Sequence, residues 1–267
     1  MSASASADWD PERYAAFRDL RLRPALDLLA QVPELPNGDV IDLGCGDGAV
    51  GPALAARFKP EHPLIGVDSS SAMLEKAAER MTQWENPLYG GLIQAEIAGW
   101  VPQAPPALIF SNAALNWLPD HAVLMPRLAA MLAPGGVLAV QMPRQEAAAS
   151  HRLLREAAEG LFPGRFPVAP SPVLRAGDYV ELLLAFGEVR AWTTDYIQML
   201  DPVPQSHPVR AFTESTAMRR YVQGMTGVEV QAYVAAYDLA LAEAYPALPD
   251  GRVIFPFTRV FFTLERA

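Results

Sequence analysis

The stretch Val40-Ile41-Asp42-Leu43-Gly44-Cys45-Gly46-Asp47-Gly48 decides the fold, together with Asp68, which follows twenty residues after Gly48. An apolar run that enters a glycine-rich turn is typical of a buried parallel strand, because glycine lets the backbone turn sharply and approach a ligand closely. An acid at the end of the next strand can accept hydrogen bonds from ribose hydroxyls. The pattern therefore predicts a site for a cofactor that carries a nucleoside.

Charge around the turn favours S-adenosylmethionine over a nicotinamide dinucleotide. A dinucleotide places its pyrophosphate at the positive end of a helix, and Asp47 would put a negative charge close to that phosphate. Asp42 can meet a cationic ammonium group, and S-adenosylmethionine carries an ammonium and a sulfonium but no phosphate. Because Gly44 to Ala49 also satisfies the permissive dinucleotide pattern, a nicotinamide-dependent reductase stays open.

Composition limits the classes of function. The chain has 267 residues, is 51% hydrophobic and has a net charge of −9, which argues against a nucleic-acid surface. Cys45 is the only cysteine, so no intrachain disulfide can form, and we interpret Cys45 as a packing residue rather than a nucleophile. No stretch reaches the roughly 20 apolar residues of a membrane span, and the histidines lack metal-ligand spacing. We expect a cytoplasmic protein without a metal site.

The first half of the chain alternates between predicted strands and predicted helices. Such alternation implies a mostly parallel sheet covered by helices, with ligands beyond the carboxyl ends of the strands. Asp42, Asp68, Glu96 and Asn112 each fall at one of those ends. The predicted strands are Val40–Leu43, Leu64–Asp68, Leu92–Ala95, Leu108–Ser111 and Val137–Met142, and the predicted helices are Ala49–Phe58, Ser71–Met81 and Val123–Met131.

The regular alternation of predicted strands and helices ends after Met142. Two long strands are predicted, and the region between them has helical periodicity and is much longer than an ordinary hairpin connection. This insertion is either a helical layer or a lid over the ligand, and we favour the lid. At the other end of the chain, Pro24 is expected to start a second helix after a first one that begins near Trp9. The later elements are the strands Glu188–Ile197 and Val253–Leu264 and the helices His151–Gly160, Ala176–Phe186, Pro208–Gln223 and Val228–Tyr245.

Several motifs together resemble those of the class I S-adenosylmethionine-dependent methyltransferases, and more closely those of the trans-aconitate methyltransferase family. The similarity covers nearly the whole chain, although residues 200–235 match loosely. Glu96 stands where the family usually has aspartate, and Ala107 replaces an acid before the fourth strand. The motifs are Trp9-Asp10-Pro11 with Tyr14, Arg21-Leu22-Arg23-Pro24-Ala25, the glycine turn, Asp68-Ser69-Ser70-Ser71-Ala72-Met73, Phe110 to His121, Gly136 to Pro143, Tyr245-Pro246 and Phe255 to Phe261.

The resemblance implies an α/β fold, a Rossmann-like doubly wound and mostly parallel seven-stranded sheet with an antiparallel last strand and helical lid insertions. We expect one domain over residues 1–267. Its core would be about 32–143 plus strands near 188–197 and 253–264, and its lid segments about 8–31, 144–186 and 200–248.

The implied reaction is transfer of the sulfonium methyl group to a carboxylate oxygen of a small tricarboxylate, which leaves S-adenosylhomocysteine. A carboxylate with a pKa near about 4 is already ionised at neutral pH, so no dedicated base is expected. Alignment of the two reactants can lower the barrier by ~7–11 kcal/mol. Another acid or a phenol as acceptor, and a cofactor-binding regulator without turnover, stay open. The partner is expected to be a small anion, not a nucleic acid or a membrane; the oligomeric state is left open.

Site residues follow from position and from the resemblance. A carboxylate substrate requires cations, and with only two lysines in the chain the candidates are arginines, which bind carboxylates with two parallel bonds. Trp117 could instead pack in the core, and His121 is left out because Asp120-His121 can begin a helix. The expected cofactor-binding residues are Tyr14, Asp42, Gly44, Gly46, Asp68, Ser69, Met73, Glu96, Ile97 and Asn112. The expected substrate-binding residues are Arg21, Trp117, Arg144, Tyr196, Arg219 and Arg259.

Overall fold

The computed structural model describes residues 18–59, 61–81, 88–167 and 170–267, with side chains from residue 22 onward. The contacts divide the chain into two compact units. Among the described residues, the sheet unit comprises those of 21–144, 171–194 and 258–267, and the helical unit comprises those of 145–170 and 195–257. The expected helix near Trp9 lies outside the described residues. The assignment of the helical segments as a lid stays a prediction.

Seven strands form one sheet in the order β3-β2-β1-β4-β5-β7-β6. The pairs β1–β2, β1–β4, β2–β3 and β4–β5 are parallel, and β7 is antiparallel to β5. The predicted seven-stranded, mostly parallel sheet with an antiparallel last strand is therefore confirmed. The strands are β1 Val40–Leu43, β2 Leu64–Asp68, β3 Gly91–Gln94, β4 Leu108–Asn112, β5 Val137–Pro143, β6 Gly187–Leu200 and β7 Val253–Arg266.

Helices cover the sheet and build the second unit. Short 3-10 turns at Leu115–Trp117 and Leu184–Phe186 complete the described elements. The bounds of the helices and strands differ from the predicted ones by three residues or fewer, apart from two corrections. The helices are α1 Arg18–Leu29, α2 Gly51–Phe58, α3 Ser71–Met81, α4 His121–Met131, α5 Ala149–Leu161, α6 Ala176–Leu183, α7 Pro208–Glu214, α8 Arg219–Val222 and α9 Gly227–Ala244.

The first correction concerns Pro24, which does not start a helix but lies inside α1. A proline within a helix removes a backbone hydrogen bond and costs about 3 kcal/mol. The helix continues through it because the same turn buries Pro24 itself, together with Ala25, Leu28 and Leu29. Burial of this apolar stripe offsets the missing bond.

The second correction concerns the predicted helix Pro208–Gln223, which the structure divides into α7 and α8. The Thr213 hydroxyl donates to the Val209 carbonyl at 3.1 Å, and the backbone N–H of Met218 bonds to the Thr213 carbonyl at 3.1 Å. Side-chain hydroxyls that bond to the backbone compete with helix continuation. The apolar spacing continues across the break, which is why periodicity alone predicted one helix.

Each unit has its own hydrophobic core. In the sheet unit, one face of the sheet packs Ile109, Val140 and Phe262 with Leu128 of α4 and Tyr179 of α6. In the helical unit, the core gathers residues of α5, α7 and α9 around a set of stacked and edge-on aromatic rings. The other face of the sheet carries polar residues at the carboxyl ends of its strands.

Candidate functional site

The strand registers place the acids of β1 and β2 on one face of the sheet. Asp42 of β1 is the register partner of Gly66 on β2 and of Phe110 on β4. Side chains alternate between the faces of a strand, so residues two positions apart share a face. Asp68 follows Gly66 by two residues and Asn112 follows Phe110 by two residues. Both therefore lie on the face of Asp42, at the carboxyl ends of their strands.

The same face continues across β5 and β7. Asn112 is the register partner of Gln141 on β5, and Gln141 is the register partner of Phe261 on β7. Arg259 lies two residues before Phe261 and is a diagonal neighbour of Gln141 on that face. Five polar side chains thus follow one another across the sheet. We call them the polar row: Asp42, Asp68, Asn112, Gln141 and Arg259.

The glycine turn after β1 requires glycine for two physical reasons. Gly44 and Gly46 have φ values of +78° and +55°, a region that side chains disfavour. A Cβ added at Gly44 would lie 2.1 Å from the Cβ of Ala114, which is far inside van der Waals contact. A Cβ added at Gly46 would lie 3.3 Å from the Met73 Cε, so Met73 flanks the turn, and its predicted contact with the cofactor stays a prediction. The glycine turn therefore packs closely against Ala114 and Met73 at the end of β1.

Asp68 joins the glycine turn to the start of α3. Its Oδ2 accepts from the Gly46 backbone N–H at 2.9 Å, and its Oδ1 accepts from the Ser70 backbone N–H at 2.9 Å. A carboxylate has about four acceptor positions, so the half-buried Asp68 keeps capacity for two hydroxyl donors. Ser69 is exposed, and its carbonyl accepts from the Gln94 side chain at 3.2 Å.

Asp42 is buried and has one hydroxyl partner. It is 2% exposed, and its Oδ2 accepts from the Tyr89 hydroxyl at 2.6 Å. Burial raises the pKa of Asp42 to about 7; the Tyr89 bond opposes the rise and the charge of Asp68 adds to it. The sequence predicted Asp42 but missed Tyr89, which lies in a short segment before β3 without any motif.

The structure also weakens one sequence argument. Asp47, whose charge argued against a pyrophosphate, is bonded to Arg80 of α3: Nη2 lies 2.6 Å from Oδ2, and Nε donates to the Asp47 carbonyl at 2.9 Å. The pair neutralises much of the charge that the argument used. The preference for S-adenosylmethionine therefore rests on Asp42 and Asp68 rather than on Asp47.

Ile97 lies beside the glycine turn. Its Cδ1 would be 3.6 Å from a Cβ at Gly44, and the side chain is 8% exposed. Arg127 of α4 fixes this loop by donating to the Ile97 carbonyl at 2.5 Å and to the Trp100 carbonyl at 2.8 Å. Glu96 follows β3 as predicted, and its side chain is exposed.

Three residues of the polar row form a connected chain of hydrogen bonds, which we call the amide relay. Arg259 Nη1 donates to Gln141 Oε1 at 3.1 Å, and Gln141 Nε2 donates to Asn112 Oδ1. Gln141 is fully buried and Arg259 is 4% exposed. The sequence predicted Arg259 and Asn112, whereas Gln141 was missed because a glutamine inside an apolar strand carries no motif.

Two further substrate candidates belong to the sheet unit. Trp117 is 64% exposed at the end of the 3-10 turn that follows β4, so the alternative that it packs in the core is wrong. Arg144 follows β5 directly, and its backbone N–H donates to the Thr258 carbonyl at 3.0 Å. Both lie just beyond the carboxyl ends of neighbouring strands, where ligands bind in such sheets.

The remaining candidates are placed less fully. Tyr196 on β6 is buried, and Arg219 is the first residue of α8; both belong to the helical unit. Tyr14 lies outside the described residues, and Arg21 lies in α1 at a position whose side chain is not described. The structure therefore gathers the predicted cofactor residues of the sheet unit and leaves the full set of substrate residues as a prediction.

His121 has a structural role. It is 2% exposed, its Nε2 lies 3.0 Å from the Leu115 carbonyl, and its Nδ1 lies 2.6 Å from the Tyr179 hydroxyl. Burial lowers the pKa of His121. The residue begins α4 as expected and ties the turn after β4 to α6.

Cys45 is 7% exposed, and burial together with the nearby charges of Asp42 and Asp68 raises the pKa of its thiol. A thiol with a raised pKa is a poor nucleophile, which supports the packing interpretation. Within the described ranges, no three His, Cys, Asp or Glu residues are grouped so that they could hold a metal ion. In the same part of the chain, no helix is long and apolar enough to cross a membrane.

The chain is similar in sequence to known methyltransferases. A family model described as a methyltransferase domain matches residues 14–216. Trans-aconitate 2-methyltransferase from Azoarcus sp. strain BH72 is 40% identical, over 97% of this chain and 99% of the relative. The enzymes of the same name from Methylobacterium nodulans and Methylobacterium radiotolerans are 40% and 41% identical, over 97% and 98% of this chain and 99% of each relative.

Solved structures show the shared fold. The YcgJ protein of Bacillus subtilis aligns with a TM-score of 0.56 at 15% identity, covering 92% of this chain and 99% of that one. Phosphoethanolamine N-methyltransferase 2 of Haemonchus contortus, in complex with S-adenosyl-L-methionine, aligns with a TM-score of 0.53 at 15% identity, covering 92% of this chain and 53% of that one.

Proposed function

This chain belongs to the trans-aconitate 2-methyltransferase family, and we propose that it is an S-adenosylmethionine-dependent O-methyltransferase that forms the monomethyl ester of trans-aconitate. The observation that carries this proposal is the similarity of about 40% identity over 97% of the chain, a span that covers both the glycine turn and the strand ends of the polar row. The cytoplasm, where a single reduced cysteine is stable, belongs to the same proposal.

The residues at the ends of β1 and β2 fit S-adenosylmethionine. Gly44 and Gly46 carry no side chain and have positive φ values, so the backbone after β1 can turn sharply and approach a ligand closely. Asp42 suits an ammonium group, and Asp68 keeps acceptor positions for the two ribose hydroxyls. When bound, S-adenosylmethionine supplies a methyl group on a sulfonium.

These residues hold and orient the donor rather than react with it. The Asp68 carboxylate, already fixed by the turn and by α3, would accept from the ribose without reorganisation. Ile97 and Met73 give apolar contacts beside the turn, with Ser69 and Glu96 at the adenosine side by resemblance. Tyr14, outside the described residues, belongs to the same proposal.

The acceptor needs orientation and charge, not deprotonation. A carboxylate is ionised at neutral pH, so the chain does not have to remove a proton before the methyl group moves. Arg144 is proposed to bind a carboxylate beyond the end of β5, and Trp117 to contact the substrate beyond β4. Arg21, Tyr196 and Arg219 complete the proposed substrate residues.

The test is transfer of label from methyl-labelled S-adenosylmethionine to a panel of trans-aconitate, cis-aconitate, citrate, isocitrate and simple phenols. The expected result is label in a base-labile ester of trans-aconitate, and none with an Asp68→Ala variant. Label in another acid would contradict the named substrate, and label in a phenol would contradict the carboxylate chemistry. Absence of transfer to any panel member would contradict the proposed function.

A further inference from the structure

We propose that Gln141 is a positioning residue of this reaction. Through the amide relay, it fixes the Asn112 side chain so that the Asn112 N–H groups donate to the reacting carboxylate of the acceptor. The assignment rests on the proposed function and moves Asn112 from the cofactor, where the sequence placed it, to the acceptor.

The relay has only one possible polarity. Arginine has N–H donors and no acceptor, so the atom of Gln141 that faces Arg259 must be its carbonyl oxygen. The Gln141 NH₂ group then faces Asn112, and the atom of Asn112 that receives it must be Oδ1. The orientations of both amides therefore follow from the fact that arginine can only donate. The Asn112 NH₂ group is left directed away from the relay.

Asn112 stands where a ligand would meet it. It is the last residue of β4, half-buried, between the end of β1 and the end of β5. The chain turns sharply after it, since Ala113 has a φ of +54° and donates its backbone N–H to the Gln141 carbonyl at 2.9 Å. The turn therefore keeps the Asn112 side chain at the carboxyl edge of the sheet, which is the ligand edge in parallel sheets.

The N–H donors and the positive charge of the amide relay favour binding of an anion at the end of β4. Two N–H donors, with the Arg259 guanidinium behind them, produce a positive potential at the end of β4. This environment suits a carboxylate and disfavours the ammonium or sulfonium of the donor. Two carboxylates are available, one on the acceptor and one on the methionine part of the donor.

The chemistry of the reaction favours the acceptor carboxylate. As the carboxylate oxygen forms its bond to the methyl carbon, the sulfur–methyl bond breaks and its electron pair stays on sulfur, so a negative and a positive charge disappear together. A cation bonded directly to the reacting carboxylate would stabilise the ground state more than the transition state and slow the step. A neutral amide donor aligns the oxygen with less of this penalty. In our assignment, Arg259 lies behind Gln141 and orients the Asn112 amide through it, without touching the reacting carboxylate oxygen.

The sharpest test is Gln141→Glu. Glutamate keeps the size of glutamine and can accept from Arg259, but it has no donor for Asn112 when ionised. Asn112 would then turn its NH₂ group toward residue 141 and present its oxygen to the acceptor. We expect the affinity for trans-aconitate, measured by calorimetry on protein saturated with S-adenosylhomocysteine, to fall by about 10- to 100-fold. The acceptor kcat/KM should fall at least as much, while the Kd for S-adenosylhomocysteine stays within about twofold of the wild-type value.

Two further variants separate charge and packing from polarity. Gln103→Glu adds the same charge at an exposed loop position and should leave all constants unchanged. Gln141→Met conserves volume without adding a charge, and it should weaken the acceptor alone, to a smaller extent than Gln141→Glu. Once Asn112 is alanine, adding Gln141→Met should cost little more, because residues that act through one another are not additive.

The possible results distinguish failure of the relay from failure of the proposed function. Wild-type acceptor affinity in both Gln141 variants would overturn the relay while leaving the proposed function intact. Weakened binding of S-adenosylhomocysteine with unchanged acceptor affinity would overturn the acceptor assignment and give the amide to the donor's carboxylate. A wild-type protein that methylates no carboxylate would instead overturn the proposed function, and this assignment with it.

Discussion

The two halves of the polar row differ in charge although they lie on one face of one sheet. At the ends of β1 and β2 the row presents carboxylates, Asp42 and Asp68. At the ends of β4, β5 and β7 it presents amides supported by a guanidinium, from Asn112 to Arg259. Under the proposed function, this difference places the cationic methyl donor beside the anionic acceptor at one edge of the sheet, because each strand end contributes its own polarity.

The halves also differ in how their polar groups are satisfied. The amide relay bonds its members to one another, so its orientation is fixed before any ligand binds. Asp42 has a single hydroxyl partner in a buried environment, and its pKa is raised to about 7 by that burial. The acid half therefore responds to pH within the physiological range, whereas the amide half contains no group that titrates there.

The largest expected effect is the loss of ligand binding at both halves of the polar row in Gly44→Ala. Gly44→Ala would place a Cβ 2.1 Å from the Ala114 Cβ, between the end of β1 and the turn after β4, at a φ of +78°. We expect loss of donor binding and acceptor binding by more than about 100-fold, with a lowered melting temperature. Calorimetry with S-adenosylhomocysteine and thermal unfolding measure the two effects.

Gly177→Ala is the matched control. It adds the same methyl group within helix α6, where no atom lies within 4 Å of the new Cβ apart from the chain neighbours and the backbone of the helix itself. The helix should gain up to about 1 kcal/mol, and ligand binding should not change. Normal donor binding in Gly44→Ala would contradict the close approach that we assign to the glycine turn.

The second prediction concerns how stability and donor affinity depend on pH through Asp42. Asp42 keeps its proton in the folded protein up to about pH 7, whereas the unfolded chain loses it near 3.8. Stability should therefore fall as the pH rises across this window, because the folded state binds the extra proton. A donor ammonium requires the ionised form, so donor affinity should rise with pH, by up to about tenfold per unit below pH 7.

Calorimetry in buffers of different ionisation enthalpy measures this linkage as release of up to one proton when the donor binds below pH 7. Asp42→Asn keeps the bond from Tyr89 and should remove both the proton release and the pH dependence. A wild-type donor affinity that is flat between pH 5.5 and pH 7.5 would show that Asp42 does not meet the ammonium group.

The smallest expected effect concerns Asp47, the third acid near the glycine turn. Arg80→Ala removes one of the partners of Asp47, at a site where both side chains are about a quarter exposed. We expect a loss of stability of ~1 kcal/mol or less and a change in donor Kd below about threefold. Unfolding in urea and donor titration measure these changes. A change above tenfold in donor Kd would place Asp47 among the donor-binding groups of the acid half.

Most of the fold could be predicted because its signals are local. The bounds of β1, β2 and α3 follow directly from short apolar runs, the glycine turn and an amphipathic pattern. The errors arose where the tertiary environment outweighs propensity, as at Pro24 inside α1. The break between α7 and α8 depends on a hydroxyl that bonds to its own helix.

The candidate site could be predicted only in part, for a similar reason. Asp42, Asp68 and Gly44 carry a motif, and the strand ends of β4 and β5 were found by counting strands. Tyr89 and Gln141 were missed because their roles exist only through partners distant in sequence, at separations of 47 and 118 residues for Tyr89–Asp42 and Gln141–Arg259. Such partners become visible once strand register is known.

The most direct test of the account compares Asp68→Asn with Asn112→Asp, each measured for both ligands. The two changes exchange a carboxylate and an amide at matching positions of the polar row, so they alter its charge in opposite directions at nearly constant shape. The account predicts a donor Kd raised by about 10- to 100-fold in Asp68→Asn alone, and a trans-aconitate Kd raised by a similar factor in Asn112→Asp alone. Equal effects of either change on both ligands would contradict the division of the row into an acid half that binds the methyl donor and an amide half that binds the acceptor.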